Sequence, residues 1–242
     1  MTDWRGIPLE YQNQIVTGDA RNLARAIPDG SVDLVLTDPP FGIGHEYSGY
    51  DDDPAGYISL ISWVISESQR VIKPNGFVFI FSSMSRLSEV WPLAPKSRLF
   101  FAGRNFVQMG RPDEPFYFGV PYAFDPVIFW RNGATQKTAG RDWHIGNTAN
   151  TNNRGLADAK FHSCPRPLDT IMYMVDNFSA TGGIVCDFFA GSGTTPLACK
   201  LTARNYVAFE IDSATADAAR LRVQQTQPPL PLVMPEQLEM AL

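Results

Sequence analysis

The sequence predicts an α/β fold: a parallel sheet with crossover helices. Three observations predict it. Four short runs are almost wholly apolar and rich in β-branched or aromatic residues: Val32–Thr37 (VDLVLT), Phe77–Phe81 (FVFIF), Gly183–Phe189 (GIVCDFF) and Tyr206–Glu210 (YVAFE). Continuous runs of this kind are expected of strands buried on both faces. Stretches with apolar residues at helical spacing lie between them, and strand, helix and strand in succession imply parallel pairing through crossovers. Hydrophobic residues make up 44% of the 242, enough to fill a core between such layers.

The elements follow in order. Gln14–Gly18 reads as a strand ending at Gly18–Asp19, and Ala20–Ile27 as a helix stopped by Pro28-Asp29-Gly30. Asp38-Pro39-Pro40 ends the strand Val32–Thr37, because proline cannot continue a central ladder. Gly42–Gly56 reads as a loop. Tyr57, Ile61, Val64, Ile65 and Ile72 form a helical stripe closed by Lys73-Pro74-Asn75-Gly76, before the strand Phe77–Phe81. From Met84 to Phe161 the pattern is irregular, with strands expected at Phe100–Met109 and Val127–Trp130 and a polar, Asn-rich exposed segment at Thr135–Asp158. Leu168, Ile171, Met172, Val175 and Phe178 give a helix; Gly183–Phe189 a strand; Ala190–Gly193 a tight turn; Thr194–Thr202 a helix; Tyr206–Glu210 a strand; Ala214–Gln225 a helix. Pro228, Pro229, Pro231 and Pro235 mark a tail outside the core, and no internal repeat is present.

Totals bound the function. Three cysteines, Cys164, Cys186 and Cys199, suit a reducing cytoplasm and match no zinc spacing, so no metal is expected. The first ten residues lack the apolar core of a signal peptide, and no apolar run would span a bilayer. The net charge of −5 is unfavourable for a partner of nucleic acid. It is unevenly spread: Ser85–Thr170 holds 11 Lys and Arg against 7 Asp and Glu, a net +4, while the rest holds 9 against 18, a net −9. The middle third is the candidate polyanion face.

Two constellations carry chemistry. Asp187-Phe188-Phe189-Ala190-Gly191-Ser192-Gly193-Thr194-Thr195 follows a buried strand and opens a helix. Its glycines allow close backbone approach, and the helix N-terminus offers free N–H groups and a positive dipole end to a carboxylate or phosphate. Glu210 ends the next strand, where a carboxylate can accept ribose hydroxyls. A dinucleotide fingerprint would place Gly or Ala at the third position; Pro196 stands there, which disfavours a nicotinamide enzyme. The second constellation, Asp38-Pro39-Pro40-Phe41, lies at the C-terminal end of a buried strand. Its prolines fix the Asp38 carboxylate, the Pro39 carbonyl and the Phe41 ring relative to one another. Two acceptors aimed at an exocyclic base amine would favour its tetrahedral, nucleophilic form and stabilise the charge that grows as it is alkylated. The aromatic ring can stack on a base drawn out of a duplex.

Together, and in this order, these motifs resemble the β-class of S-adenosylmethionine-dependent DNA amino-methyltransferases. In that family the catalytic Asp-Pro-Pro-aromatic motif precedes the cofactor motif, a circular permutation of other classes. Gly18-Asp19, Arg70-Val71-Ile72-Lys73-Pro74-Asn75-Gly76 and His162-Ser163-Cys164-Pro165-Arg166-Pro167 resemble further family elements, so the likeness covers about residues 13–83 and 162–222. The sequence departs from the family at Pro165 and Arg166, where Gln and Lys are usual, and at Phe41, where Tyr or Trp is commoner. The resemblance implies a Rossmann-like methyltransferase with a mostly parallel seven-stranded sheet and helices on both faces. It implies one domain: a catalytic half (about 13–83), a target-recognition insertion (about 84–161), a cofactor half (about 162–226) and a tail (227–242).

It further implies that Asp38, Pro39, Pro40 and Phe41 are catalytic. It assigns S-adenosylmethionine to Asp19, Asp38, His162, Arg166, Asp187, Phe189, Ala190, Gly191, Ser192, Gly193, Thr194, Thr195 and Glu210. The expected partner is double-stranded DNA; a homodimer is compatible. The expected reaction is methylation of the N6 amine of a flipped-out adenine. The alternatives are N4-cytosine methylation by the same machinery and a catalytically weak DNA-binding or regulatory module. Family members acting on cytosine more often carry Ser at the first catalytic position, so Asp38 favours adenine. Covalent C5 chemistry is rejected, because Cys164 precedes Pro165 instead of following it. His45 reads as a solvated loop residue, and Trp143 and His144 as packing or base-contact residues of the insertion.

Overall fold

The computed structural model describes residues 4–44, 46–47, 50–94, 98–103, 124–133, 143–145 and 166–227. Among them, eight strands form one sheet, in the order β1-β10-β9-β2-β5-β7-β6-β8. In chain order the strands are β1 (Gln14–Thr17), β2 (Val32–Thr37), β3 (Glu46–Tyr47), β4 (Tyr50–Asp51), β5 (Ile72–Phe81), β6 (Arg98–Gly103), β7 (Phe124–Arg131), β8 (Trp143–Ile145), β9 (Ile184–Asp187) and β10 (Asn205–Glu210). The helices are α1 (Ala20–Leu23), α2 (Tyr57–Val71), α3 (Leu87–Val90), α4 (Leu168–Phe178), α5 (Thr194–Leu201) and α6 (Ser213–Gln225), with short 3-10 turns between some of them. The five strands from β1 to β5 in sheet order pair in parallel. The hairpin-like addition of β7 and β6 is antiparallel, and β8 lies parallel to β6 at the edge.

The expected mostly parallel sheet with helices on both faces is therefore present, with eight strands instead of seven. The extra strand is β8, three residues in a polar stretch, too short for an alternating pattern to register. Gly42–Gly56, read as a loop, contains the two-residue pair β3–β4. Lys73–Gly76 do not separate helix from strand: α2 stops at Val71 and β5 takes over at Ile72. The expected strand Phe100–Met109 begins earlier, at Arg98, and residues 104–109 lie outside the described residues, as do His45, Cys164 and the Pro-rich tail.

The two sheet faces are covered by different helices. Tyr57, Ile61, Val64 and Ile65 of α2, with Ala20 and Ala24, pack on Val35, Val78, Cys186 and Val207. Ile171, Met174, Val175 and Phe178 of α4, with Ala198 and Cys199 of α5, pack on Leu34, Leu36, Phe79 and Val185. Ala216, Ala219 and Val223 of α6 close the same side over Ile15 and Ala208. The side chains of β2 are buried along its whole length, which accounts for its unbroken apolar run. Asp33 is the exception by type. It is paired with Arg5 and Lys73 and accepts the Ile184 N–H at 2.9 Å, so the buried carboxylate is satisfied at the sheet end away from the motifs.

Topology fixes where a ligand can sit. From β9 the chain crosses through α5 to β10 on one side; from β2 it crosses through α2 to β5 on the other. The order of strands thus reverses between β9 and β2. Open α/β sheets bind ligands outside the carboxyl ends of the strands at such a switch point. Both motifs predicted to be functional leave the sheet there: Asp38 directly after β2, and Asp187 as the last residue of β9. Among the described residues no helix is long and apolar enough to cross a membrane.

Candidate active site

The glycine turn is built by its neighbours. The Ala190 N–H donates to the Phe209 carbonyl at 2.7 Å and the Gly193 N–H to the Ala190 carbonyl at 2.8 Å, which folds the chain back on itself. Gly191 and Gly193 take φ of +50° and +77°, the left-handed region that disfavours a side chain. A Cβ on Gly193 would also lie 3.0 Å from the Ala219 Cβ. Gly193 is the N-cap of α5, and no side chain caps that helix, so its first-turn N–H groups face the loop. Pro196 in the first turn has no N–H, so Thr194 and Thr195 carry the amides at this helix start.

Three side chains hold this turn. Glu210 accepts the Gly191 N–H at 2.8 Å through one oxygen and the Asp212 N–H at 3.0 Å through the other. Burial raises its carboxyl above the ordinary glutamate range, against the lowering effect of its backbone N–H donors. The Ile211 N–H also bonds this carboxylate, which leaves it part of its acceptor capacity for hydroxyls. Arg222 of α6 is 7% exposed. It donates to the Ser192 carbonyl at 2.9 Å, the Ser192 hydroxyl at 3.2 Å and the Thr194 hydroxyl at 3.1 Å. Sequence reasoning missed it. An arginine three residues after Ala219 and one before Val223 sits on the buried stripe of α6, and that phase was the available signal.

Asp187 is the third. Its carboxylate accepts the Thr37 hydroxyl at 2.9 Å, the Phe189 N–H at 3.1 Å and a hydrogen bond from Thr195. Burial dominates and pushes its carboxyl up to about 7. In the unfolded chain the group titrates near 3.8. Between those values the folded chain holds a proton that the unfolded chain has released, so this group's contribution to stability falls as pH rises from 3.8 to about 7. Asp187→Asn removes the titration. Its urea midpoint, relative to wild type, is expected to rise steadily from pH 4 to pH 7; a difference independent of pH would contradict this account.

The Asp-Pro-Pro-Phe turn meets an unexpected neighbour. Arg166 grips Asp38 with two bonds, Nε to one carboxylate oxygen at 2.6 Å and a terminal nitrogen to the other at 3.0 Å. Its guanidinium also lies over the rings of Phe81 (4.8 Å to the centroid) and Phe41 (5.6 Å). Such a bidentate, ring-stacked arginine is oriented strongly. Arg166, expected against the cofactor, thus pairs with Asp38, an expected catalytic residue. Phe41 packs on the α4 face of the core. After it, Gly42 (φ +63°) accepts no side chain: a Cβ would lie 2.4 Å from that of Tyr57. Asp52 fixes this bend by accepting the Gly42 and Ile43 N–H groups at 2.6 and 3.0 Å.

The remaining expected residues are placed as follows. Asp19 is the N-cap of α1, accepts the Arg21 N–H at 2.9 Å and pairs with the Arg21 guanidinium, which holds its carboxyl below the usual range. It adjoins the end of β10, because the Gly18 N–H donates to the Glu210 carbonyl at 2.8 Å. Phe189 packs on the α2-side core, and Ala190, Ser192, Thr194 and Thr195 are each 6% exposed. His162 lies outside the described residues. Cys186 and Cys199 are free and buried, and burial pushes both thiols up, so neither is a poised nucleophile.

The chain is similar to known proteins in sequence and fold. The family model for N6/N4 methyltransferases, described as DNA methylase, matches residues 32–118 and 130–221. The type II methyltransferase M.HinfI of Haemophilus influenzae is 24% identical over 254 residues, covering 90% of this chain and 70% of its own. The DNA adenine methyltransferase YhdJ of Escherichia coli (strain K12) is 25% identical over 250 residues, covering 85% and 82%. Among solved structures, the M1.HpyAVI–SAM complex superposes with a TM-score of 0.64 at 20% identity, covering 88% of this chain and 99% of its own. The PvuII DNA methyltransferase, cytosine-N4-specific, gives 0.67 at 16% identity, covering 93% and 89%. These structural likenesses establish the fold.

Proposed function

The chain belongs to the DNA methylase family of N6 and N4 amino-methyltransferases, and from that premise we propose that it methylates the N6 amine of adenine in double-stranded DNA. The observation that carries this reading is the meeting of two turns at one switch point: the acceptor turn Asp38–Phe41 beside the open glycine turn Gly191–Thr194. S-adenosylmethionine, when bound, supplies a methyl group on a positively charged sulfur. The residues present fit it. The uncapped start of α5 suits its carboxylate, Glu210 retains acceptor capacity for its ribose, and Asp19 stands nearby toward the adenine end.

The chain's own groups then do the following. The Asp38 carboxylate and the Pro39 carbonyl accept the two hydrogens of the flipped base's amine, which directs the nitrogen lone pair at the methyl carbon. Phe41 stacks on the base and sets its plane. As the new N–C bond forms, the C–S bond breaks and its electrons stay on sulfur, while the Asp38 carboxylate opposes the positive charge growing on nitrogen. The surplus amine proton leaves along the Asp38 hydrogen bond to solvent. Arg166 gives up one of its two bonds to Asp38 when the amine arrives, since a carboxylate doubly held by a guanidinium is a weaker acceptor. The reaction needs alignment, and no protein nucleophile.

Adenine is favoured by Asp38 at the first catalytic position and by the adenine methyltransferase among the relatives. N4-cytosine methylation is the second reading, supported by the cytosine-N4-specific fold neighbour. The residues between α3 and α4, with their excess of positive charge, form the recognition region of this reading. The test is incubation with unmethylated genomic DNA and methyl-labelled S-adenosylmethionine, followed by digestion to nucleosides. N6-methyladenine is expected. Label in N4-methylcytosine selects the second reading, and no label in any DNA overturns both.

A further inference from the structure

The two functional turns are covalently remote, 150 residues apart, and the sheet does not join them. The β2–β9 ladder pairs Leu34 with Val185 and Val35 with Cys186. Beyond that pair β2 stays with β5, as far as Thr37 against Ile80. The β2–β9 ladder thus ends before the two functional turns, at the switch point.

Thr37 links the two strand ends through its side chain. The Thr37 hydroxyl donates to the Asp187 carboxylate at 2.9 Å and accepts the Phe188 N–H at 3.1 Å. Thr37 is 1% exposed, so both bonds are shielded from water. The same Asp187 oxygen accepts the Phe189 N–H, which makes a knot of three consecutive residues at the start of the glycine turn, tied to the residue immediately before Asp38. A β-branched threonine has few rotamers, so its hydroxyl is held in place at little entropic cost.

We propose that Thr37 is a positioning residue for methyl transfer: its hydroxyl ties the acceptor turn to the donor turn across the open end of the sheet. The inference rests on the functional reading above and adds to it what sets the distance between the two halves of the site. A displacement near 1 Å of one reacting group costs on the order of 100-fold in rate. A tie that acts on alignment therefore shows in kcat, while the cofactor's own contacts, and its KM, are left largely intact.

Thr37→Val keeps the shape and removes both hydrogen bonds; Thr37→Ser keeps the hydroxyl. Expected for T37V is a fall in kcat of about 30- to 100-fold with KM for S-adenosylmethionine within about 3-fold of wild type. T37S should return to within a few-fold of wild type. A kcat within about 3-fold of wild type in folded T37V, or an equal loss in T37S, overturns the proposal. The tie is also read without turnover: the Phe188 amide should exchange with solvent at least about tenfold faster in T37V than in wild type or T37S, as it loses its acceptor. Unchanged exchange overturns the proposal whatever kcat does. If wild type labels no DNA, the functional reading fails, and the exchange rate with the affinity for S-adenosylhomocysteine decides the tie: faster exchange at unchanged affinity upholds it.

Discussion

Asp38→Ala is expected to lower kcat about 100- to 1,000-fold while the affinity for S-adenosylmethionine changes only a few-fold. The reason is the chemistry of the nucleophile. The lone pair of an exocyclic amine is delocalised into its ring, and the Asp38 carboxylate is the only anionic acceptor in the Asp-Pro-Pro-Phe turn. Removing it leaves the Pro39 carbonyl, a neutral group, to polarise the amine alone. Asp38→Asn retains an oxygen acceptor without the charge, so it should lie between alanine and wild type. The substitution also takes a carboxylate from beside the Arg166 guanidinium, whose side chain is only 12% exposed. Thermal melts of both variants should therefore accompany the rates. Single-turnover transfer to DNA separates chemistry from product release. Labelling of adenine at the wild-type rate by D38A would refute the mechanism.

Glu210→Ala should act on the other side of the ledger, raising the dissociation constant of S-adenosylmethionine about 100-fold. Two hydrogen bonds from a carboxylate to ribose hydroxyls, at about 1.5 kcal/mol each, amount to about 3 kcal/mol, or two decades of affinity. The substitution does more than delete a ligand contact. Glu210 bonds the Gly191 N–H at 2.8 Å and the Asp212 N–H at 3.0 Å, so its loss also loosens the glycine turn and the entry to α6. Glu210→Gln keeps an acceptor for one of these N–H groups and should weaken binding less. Calorimetric titration reads both variants directly. At saturating cofactor, kcat of E210A should recover to within about tenfold of wild type, since the amine-activating groups are untouched.

What the sequence revealed, and what it concealed, follows from the range of each interaction. The core strands β2, β5, β9 and β10 were legible because each is buried on both faces, and an unbroken apolar run is the direct imprint of that environment. The glycine turn and the Asp-Pro-Pro-Phe turn were legible because their chemistry is written in consecutive residues. The contacts that join them are not local. Thr37 meets Asp187 across 150 positions, and Arg166 meets Asp38 across 128; no pattern in a one-dimensional chain encodes such a meeting. Arg222 was passed over because arginine on a helix is ordinarily solvated, whereas here the small residues Ala216 and Ala219 let α6 approach the loop closely enough to bury it. The edge strand β8 escaped notice because three residues carry no period. Asp19, an expected cofactor residue, is also a helix cap, a role that Gly-Asp before a helix announces.

The central claim is that Asp38 and Phe41 face the methyl donor across the switch point. A crystal structure with sinefungin, whose amine replaces the sulfonium methyl, tests it most directly. The account predicts that this amine lies within about 6 Å of an Asp38 carboxylate oxygen, the sum of one hydrogen bond and one near-attack contact, with the Phe41 ring bordering the same cavity. A ligand bound with its amine directed away from Asp38, on the far side of the glycine turn Gly191–Thr194, would contradict it.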